Sequence, residues 1–460
     1  MFDVLTYEKG CSVLRMLEQY LGAETFRDGI RLYLRRHAYD NAITAELWSA
    51  LETASGEPVG AIMDTWILQG GFPLLSLEAT SLSQAPFSFR APRGSSNIGA
   101  SWKVPVLVRA LGADDVERVL LEDEPVTLSL EAPVVVNAGG SGFYRTAYDS
   151  AQLAGLAERL QDLDESERAV LVSDTWASIL LGRLGLGDLL TLARGLGGFD
   201  EPTPWSVVLR GLAMVDRLGD DASREVLARV VRELLAPLHA RLGWEPREKE
   251  SAEAATLRAS VLQYLGTLGR DPDVAAEAAR RFDANELEGN LADAIVTITM
   301  HQSRPGDADT CRSRRLNAPT PQEEMRYLFA PAASREPSVV LDAFEAAFSE
   351  VRTQDAPYVI MALMGNLRAG PEVWRRLSAR WDEALERFPE SSHHRMVSSV
   401  STFFTDADLA GSVRDFLESH PVPTSQLSVA QHLDILDVNL AWAERTSPSL
   451  AAVLNGFLGA

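Results

Sequence analysis

The spacing of apolar residues changes twice along this chain of 460 residues. Residues 1–73 repeat them at the period of a helix, while residues 74–149 alternate polar and apolar side chains or carry β-branched runs. Helical spacing returns at residue 150 and continues to the end. Apolar residues with helical spacing line one face of a helix, and alternating apolar residues line one face of a strand, so the spacing indicates which element buries them. We therefore predict a multidomain, mainly α-helical protein with domains at 1–73, 74–149 and 150–460.

The middle segment has the signals of short strands. Trp102, Val104, Val106 and Val108 alternate at period 2, and residues 94–97 (GSSN) are typical of a turn. Several short strands in a segment of this length can form two sheets that pack face to face. We predict a small antiparallel β-sandwich.

Helix starts are well marked in the last segment. Asp271 precedes Pro272, and Thr320 precedes Pro321, with Glu323 three residues after the threonine. An Asp or Thr N-cap followed by Pro is typical of a helix start, and Glu at the third helical position completes a capping box. The spacing suggests helices of roughly 10–18 residues with short connections. We predict stacked antiparallel helix pairs, that is, a large α-solenoid of the HEAT or armadillo type.

The first helix carries one tyrosine whose position allows two interpretations. Its apolar stripe consists of Val13, Leu14, Leu17 and Leu21. Tyr7 lies at the edge of that stripe, and Cys11 follows it at i+4. Spacing alone favours a core tyrosine with a buried ring, and it favours a small buried hydrophobe at Cys11.

A longer pattern in the first segment comprises YEKG at 7–10, VLRML at 13–17, Gly22, Trp48, Met63, Trp66 and QGGFP at 69–73. In this order it resembles the zinc aminopeptidases of the aminopeptidase N and puromycin-sensitive type. The resemblance implies that residues 1–73 are the C-terminal helical lobe of a thermolysin-like catalytic domain. It also implies that Tyr7 donates a hydrogen bond to the oxyanion formed when zinc-activated water attacks the scissile carbonyl. A neutral phenol is a suitable donor for charge that develops only in the transition state.

The zinc ligands of that family lie in a His-Glu-x-x-His motif and a later Glu, upstream of the tyrosine. No two of the seven histidines here are four residues apart; they are His37, His239, His301, His393, His394, His420 and His432. The resemblance thus implies the C-terminal portion of a zinc aminopeptidase that removes N-terminal residues from peptides. Its expected partners are peptide substrates and the missing N-terminal half of the catalytic region. We expect the chain alone to hold no zinc and to be inactive.

The apolar faces of the first segment should, by the same resemblance, pack partly on that missing half. These faces consist of Leu14, Leu17, Leu21, Ile30, Leu34, Leu51, Ile62 and Trp66. Apolar side chains left in water forfeit the free energy that their burial would contribute. We therefore expect residues 1–73 to be less stable than the rest of the chain.

The later segments match the same family less closely. Residues 137–149 resemble the end of its β-sandwich domain, and we interpret Tyr144, Arg145 and Tyr148 there as structural rather than substrate-binding. The looser matches in the helical domain are Arg168, Asp174, Trp176, Arg258 and residues 320–324.

Charge and composition restrict the partners. The chain has 43 basic and 65 acidic side chains, a net charge of −22, and no basic block. Binding to nucleic acid or to an anionic membrane depends on clustered Lys and Arg, so neither is expected. No apolar run is long enough to span a membrane, and the charged residues Asp3, Glu8 and Lys9 interrupt the apolar stretch that a signal peptide would need.

Two cysteines 300 residues apart, Cys11 and Cys311, suggest no disulfide framework and fit a reducing cytoplasm. A second class of function stays open. A β-sandwich joined to an α-solenoid could be a non-catalytic module that binds peptides or proteins on a concave surface.

Overall fold

The computed structural model describes residues 5–89, 100–131, 133–422 and 425–459. The chain forms two compact units, Met1–Leu184 and Gly185–Ala460, called here the N-terminal and C-terminal units. The turn predicted at 94–97 lies outside the described residues, as do the first four residues of the chain.

The N-terminal unit begins with helices. A π-helical turn, Leu5–Lys9, precedes α1 (Gly10–Leu21), α2 (Ala23–Arg36), α3 (Thr44–Ser55) and α4 (Val59–Ile67). Helices α2 and α3 pack closely, because Gly29 lies against Leu51 with no room for a Cβ atom. The predicted helical start of the chain is confirmed over the described residues.

In the described part of the next segment there are seven strands: β1 (Pro73–Glu78), β2 (Ser81–Pro86), β3 (Val104–Ala110), β4 (Glu117–Leu121), β5 (Val126–Thr127), β6 (Val134–Val136) and β7 (Arg145–Tyr148). They form one sheet in the order β5-β2-β1-β7 and a second in the order β4-β3-β6. The prediction of purely antiparallel strands is wrong at one place, since β1 and β7 pair in parallel. Parallel neighbours need a long crossover, and the chain provides it by building the second sheet between them.

Two helices complete the N-terminal unit, α5 (Ser150–Ala157) and α6 (Glu165–Leu180). Asp149 caps α5 and Asp164 caps α6, each accepting a hydrogen bond from a backbone N–H in the first turn. The changes of spacing at residues 73 and 149 therefore match changes from helix to strand and back, while the three domain boundaries stay predictions.

One hydrophobic core connects the first helices to both sheets. Leu17, Ile62 and Trp66 from the helices and Leu75 and Val106 from the sheets belong to the same buried cluster. Leu21, Leu51 and Trp66 are each at most 4% exposed. The expectation that these faces await a missing lobe is therefore wrong for most of them, because they are buried in the core that the helices share with the sheets. Of that group, Leu34 is exposed.

The described part of the C-terminal unit contains helices and no strand. The helices are α7 (Leu186–Gly195), α8 (Pro202–Leu218), α9 (Asp221–Leu242), α10 (Ala252–Gly266), α11 (Pro272–Asp283), α12 (Leu291–Gln302), α13 (Asp307–Leu316), α14 (Pro321–Phe329), α15 (Pro337–Ala347), α16 (Ala356–Met364), α17 (Gly370–Ala379), α18 (Trp381–Arg387), α19 (His393–Met396), α20 (Ala407–Ser419), α21 (Gln426–Thr446) and α22 (Leu450–Gly459). Their lengths run from 4 to 22 residues, a wider range than predicted. Among the described residues, no helix is long and apolar enough to cross a membrane.

The predicted helix starts are confirmed. The Asp271 side chain accepts hydrogen bonds from the N–H groups of Asp273 and Val274, and Thr320 accepts one from Glu323. Helices that are close in sequence pack on each other, such as α9 on α10 and α11 on α12. The last helix, α22, packs on α7 and α9, so the end of the C-terminal unit contacts its beginning.

Candidate functional site

Tyr7 lies in the π-helical turn that leads into α1, and 54% of its surface is exposed. The core interpretation of this residue is therefore wrong, and so is the prediction of a buried Cys11, which is exposed. Both predictions fail because the buried side of α1 differs from the apolar stripe predicted from the sequence. The buried residues of α1 are Val13, Met16, Leu17, Tyr20 and Leu21. Met16 and Tyr20 move the buried face of α1 away from the side that carries Tyr7 and Cys11.

Helix α1 is held by the face opposite to Tyr7. Met16 is 2% exposed, and its sulfur accepts a hydrogen bond of 3.3 Å from the backbone N–H of Phe143. Burial also lowers the pKa of Lys9, at the end of the π-helical turn. The tyrosine thus stands on a helix that is fixed to the core, with its own side chain facing outward.

The other residues that carry the resemblance have structural contacts. The Trp66 indole donates a 3.1 Å hydrogen bond to the Lys103 carbonyl, and the Gln69 amide donates one of 2.6 Å to the Ser101 carbonyl. Phe72 stacks on Phe87 with ring centroids 5.0 Å apart. These contacts attach α4 to the sheets and so fix the helices that support Tyr7.

Exposed apolar side chains are concentrated near Tyr7 in sequence. Of the twelve large hydrophobic residues that are exposed in the described part of the chain, six precede β1; they are Tyr7, Leu34, Tyr39, Ile43, Ile67 and Leu68. Single exposed hydrophobic residues are common on protein surfaces, whereas a contiguous patch of them is typical of a surface that binds another molecule.

The segment of Tyr144, Arg145 and Tyr148 joins β7 to α6. The Arg145 guanidinium lies 2.9 Å from a carboxylate oxygen of Asp174, whose other oxygen accepts a 2.8 Å hydrogen bond from the Thr146 N–H. Burial raises the pKa of Asp174 to about 6, although Arg145 acts in the opposite direction. The Tyr148 hydroxyl accepts a hydrogen bond from the Val136 N–H. These contacts support the structural interpretation of the segment.

A second ion pair lies beside it. Both oxygens of Glu167, whose side chain is 2% exposed, bind the Arg109 guanidinium, at 2.5 and 3.0 Å. Glu167 also accepts hydrogen bonds from the N–H groups of Gly139 and Asp164. Burial favours a raised pKa for Glu167, but these hydrogen bonds outweigh it, and the pKa is lowered. Spacing could not find this pair, because its partners are 58 residues apart.

The residues that the structure describes do not fit a zinc ion. Within the described ranges, no three side chains of His, Cys, Asp or Glu come together in a way that could hold a metal. A zinc site in a protein needs three or four such donors. No chemical step through zinc can therefore be assigned to the residues described here.

The C-terminal unit has a cavity that could not be predicted from the sequence. A cavity of about 790 Å³ in the C-terminal unit is lined by arginines from separate parts of the chain. Among them are Arg217, Arg270, Arg335 and Arg368, which only the fold brings together.

The chain matches two family models. Residues 133–437 match the ERAP1-like C-terminal domain, and residues 1–66 match the peptidase family M1 domain. Similar proteins include Aminopeptidase M1-B of Oryza sativa subsp. japonica, at 30% identity over 99% of this chain and 56% of the relative. Aminopeptidase M1 of Arabidopsis thaliana is 29% identical over 96% of this chain and 54% of its own length.

An animal relative matches over a similar share. Glutamyl aminopeptidase of Bitis rhinoceros is 26% identical over 98% of this chain and 50% of the relative. The chain thus spans about half the length of the curated relatives it matches.

Proposed function

The chain belongs to the M1 family of peptidases and corresponds to the C-terminal part of an aminopeptidase, and from this we propose that it contributes Tyr7 to the removal of N-terminal residues from peptides. Tyr7 donates a hydrogen bond from its hydroxyl to the oxyanion that forms on the scissile carbonyl. The aminopeptidase names of the relatives support the peptide-cleaving activity.

The observation that carries this proposal is the exposure of Tyr7 on a fixed helix. A residue that contacts substrate must reach solvent, and Tyr7 is 54% exposed while the opposite face of α1 is buried. A donor that is already held in place costs little reorganisation when charge develops, which is the basis of oxyanion stabilisation. A core tyrosine could not act in this way.

The finer assignment of the domains is part of the proposal. Helices α1–α4 form the C-terminal lobe of a thermolysin-like catalytic domain, the two sheets form a β-sandwich, and the helices from α7 onward form a solenoid. The exposed apolar residues before β1, among them Ile67 and Leu68, belong to the side of the lobe that meets the N-terminal half of the catalytic region.

Zinc is the metal on which M1 aminopeptidases generally depend. Because the described residues do not fit it, we assign the zinc ligands to the N-terminal half of the catalytic region and none to this chain. We further propose that the protein acts in the cytoplasm, where its two unpaired cysteines would stay reduced.

The test is to co-express the chain with the N-terminal half of the catalytic region of a relative and to compare variants. Tyr7→Phe keeps the ring and removes the donor, so we expect kcat for an aminoacyl-anilide to fall on the order of 10²–10³-fold, with KM changed little. Tyr39→Phe is the matched control, because Tyr39 is also exposed and lies in the same segment.

The chain alone serves as the blank, with no stoichiometric zinc by metal analysis and no turnover. A Tyr7→Phe complex as active as the Tyr39→Phe complex would contradict the proposed role. One zinc tightly bound to the chain alone would contradict the assignment of the ligands.

A further inference from the structure

The cavity in the C-terminal unit has a charge opposite to that of the protein. Its volume is about 790 Å³, within the range of pockets that bind small molecules. The charged side chains that line it, apart from a histidine, are Arg217, Arg224, Arg270, Arg335, Arg368, Asp216 and Asp221. Five cations thus face two carboxylates in a chain whose acidic residues outnumber its basic ones, 65 to 43.

The arginines of the cavity differ in their partners. Arg224 lies 3.7 Å from Asp216 and 3.4 Å from Asp221, Arg270 pairs with Glu225, and Arg217 donates to the Gly365 carbonyl. Arg335 and Arg368 have no ion-pair partner within the described part of the chain. Their guanidinium groups therefore leave ten N–H donors without a protein carboxylate, five on each side chain.

One side chain holds the two loops that carry these arginines. The Asn366 amide nitrogen donates hydrogen bonds to the carbonyls of Ala332 and Ser334, at 2.9 and 2.8 Å. Its amide oxygen accepts hydrogen bonds of 2.9 Å from the N–H groups of Arg368 and Ala369. Asn366 thus ties the segment before Arg335 to the segment around Arg368, and both arginines start from fixed backbone.

The carboxylates of the wall offset the repulsion within the cluster only in part, since Asp216 and Asp221 act to raise the pKa of Arg335 while its net direction is downward. Burial lowers the pKa of Arg335, and the nearby charges of Arg368 and Arg270 lower it further. Burial, followed by the charge of Arg335, lowers the pKa of His301 in the same wall to about 4, so this histidine is neutral at pH 7. The two carboxylates of the wall, Asp216 and Asp221, lie 3.7 and 3.4 Å from Arg224. An anion in the cavity would relieve this repulsion.

We propose that the cavity binds a small oxyanion, a carboxylate or a phosphate group, between Arg335, Arg368 and Arg270. A guanidinium presents parallel N–H donors that match two oxygens of either group, which makes arginine well suited to bind both. All the residues that line this cavity belong to the C-terminal unit, so the proposal does not rest on the role of Tyr7.

The test is isothermal titration calorimetry of the full chain at low chloride, with citrate in one series and inorganic phosphate in the other. We expect saturable binding at one site. Arg335→Gln and Arg368→Gln should each weaken it about tenfold or more, since each removes charged hydrogen bonds to the ligand. The matched control is Arg375→Gln, which changes the net charge equally on an exposed arginine that pairs with Glu372 outside the cavity.

Tighter binding of citrate assigns the carboxylate, and tighter binding of phosphate assigns the phosphate group. The proposal is overturned if neither anion binds at millimolar concentration. It is also overturned if Arg375→Gln weakens binding as much as the two cavity variants, because the effect would then come from net charge. Circular dichroism of each variant verifies that it is folded, and none of these readouts depends on turnover.

Discussion

The two units use arginine differently. In the N-terminal unit, Arg109 and Arg145 each bind a buried carboxylate, of Glu167 and Asp174, and through it attach a sheet to helix α6. In the C-terminal unit, Arg335 and Arg368 line the same cavity with no carboxylate partner among the described residues. A buried ion pair is easily damaged by removal of one partner, whereas an unpaired surface cation can be removed at almost no cost. The comparison therefore separates arginines that support the fold from arginines that are available to a ligand.

The largest effect should come from Glu167→Ala. This change leaves the Arg109 guanidinium, whose side chain is 11% exposed, without its partner, and it leaves the Gly139 N–H without its acceptor. Removing one member of a buried pair typically costs about 3–5 kcal/mol. Hydrogen exchange of peptides from β3 and α6 should show a loss of that order in local stability.

Glu165→Ala is the control for this variant, because Glu165 is exposed in the same first turn of α6. Its effect should stay within about 1 kcal/mol, the usual contribution of a charge at a helix N-terminus. Equal losses in both variants would mean that the Arg109–Glu167 pair has no special role in the fold.

A smaller effect concerns pH and Asp174. Its pKa is about 6 in the folded protein against a usual 3.8, because burial disfavours the carboxylate more than Arg145 favours it. The folded state therefore binds more protons than the unfolded state between these values, and this residue's contribution to stability falls as pH rises from about 4 to 6. The change should be on the order of 2 kcal/mol.

Asp174→Asn isolates this contribution. Asparagine has the same shape and does not titrate, so the stability of the variant relative to wild type should improve between pH 4 and pH 7. Chemical unfolding at pH 4, 5, 6 and 7 would measure it. A constant difference between the two proteins across these pH values would show that Asp174 does not titrate in this range.

The comparison also shows what could be predicted from the sequence. The order of helical, strand and helical segments can be predicted from the spacing of apolar residues, and helix starts can be predicted from N-caps such as Asp271 and Thr320. Both signals lie within a few neighbouring residues. The parallel pairing of β1 with β7 could not be predicted, since strand partners some 70 residues apart leave no periodic trace. The Arg109–Glu167 pair and the arginine cavity depend on the same long-range placement.

Tyr7 shows a different limit. The aliphatic stripe alone predicts the wrong buried side of α1, because Met16 and Tyr20 are buried as well and turn the buried face enough to expose Tyr7. The resemblance pointed to this residue for its chemistry, and the structure gives it the exposure that such a role requires. The sequence predicts the wrong exposed apolar side chains in this segment, because Leu17, Leu51 and Trp66 are buried in the shared core.

The smallest effect should come from removing the unpaired cations of the cavity. Arg335→Gln and Arg368→Gln break no ion pair, so each should change the free energy of unfolding by no more than about 0.5 kcal/mol. The sign should be stabilising, because burial and the repulsion by Arg368 and Arg270 already lower the pKa of Arg335. Since salt screens repulsion between exposed charges, the gain should shrink between low salt and about 0.5 M salt.

Chemical unfolding without added multivalent anions would measure this gain, with Arg375→Gln as the control that loses its pairing with Glu372. A loss of more than 1 kcal/mol in either cavity variant would place these arginines with Arg109 and Arg145 among the groups that support the fold.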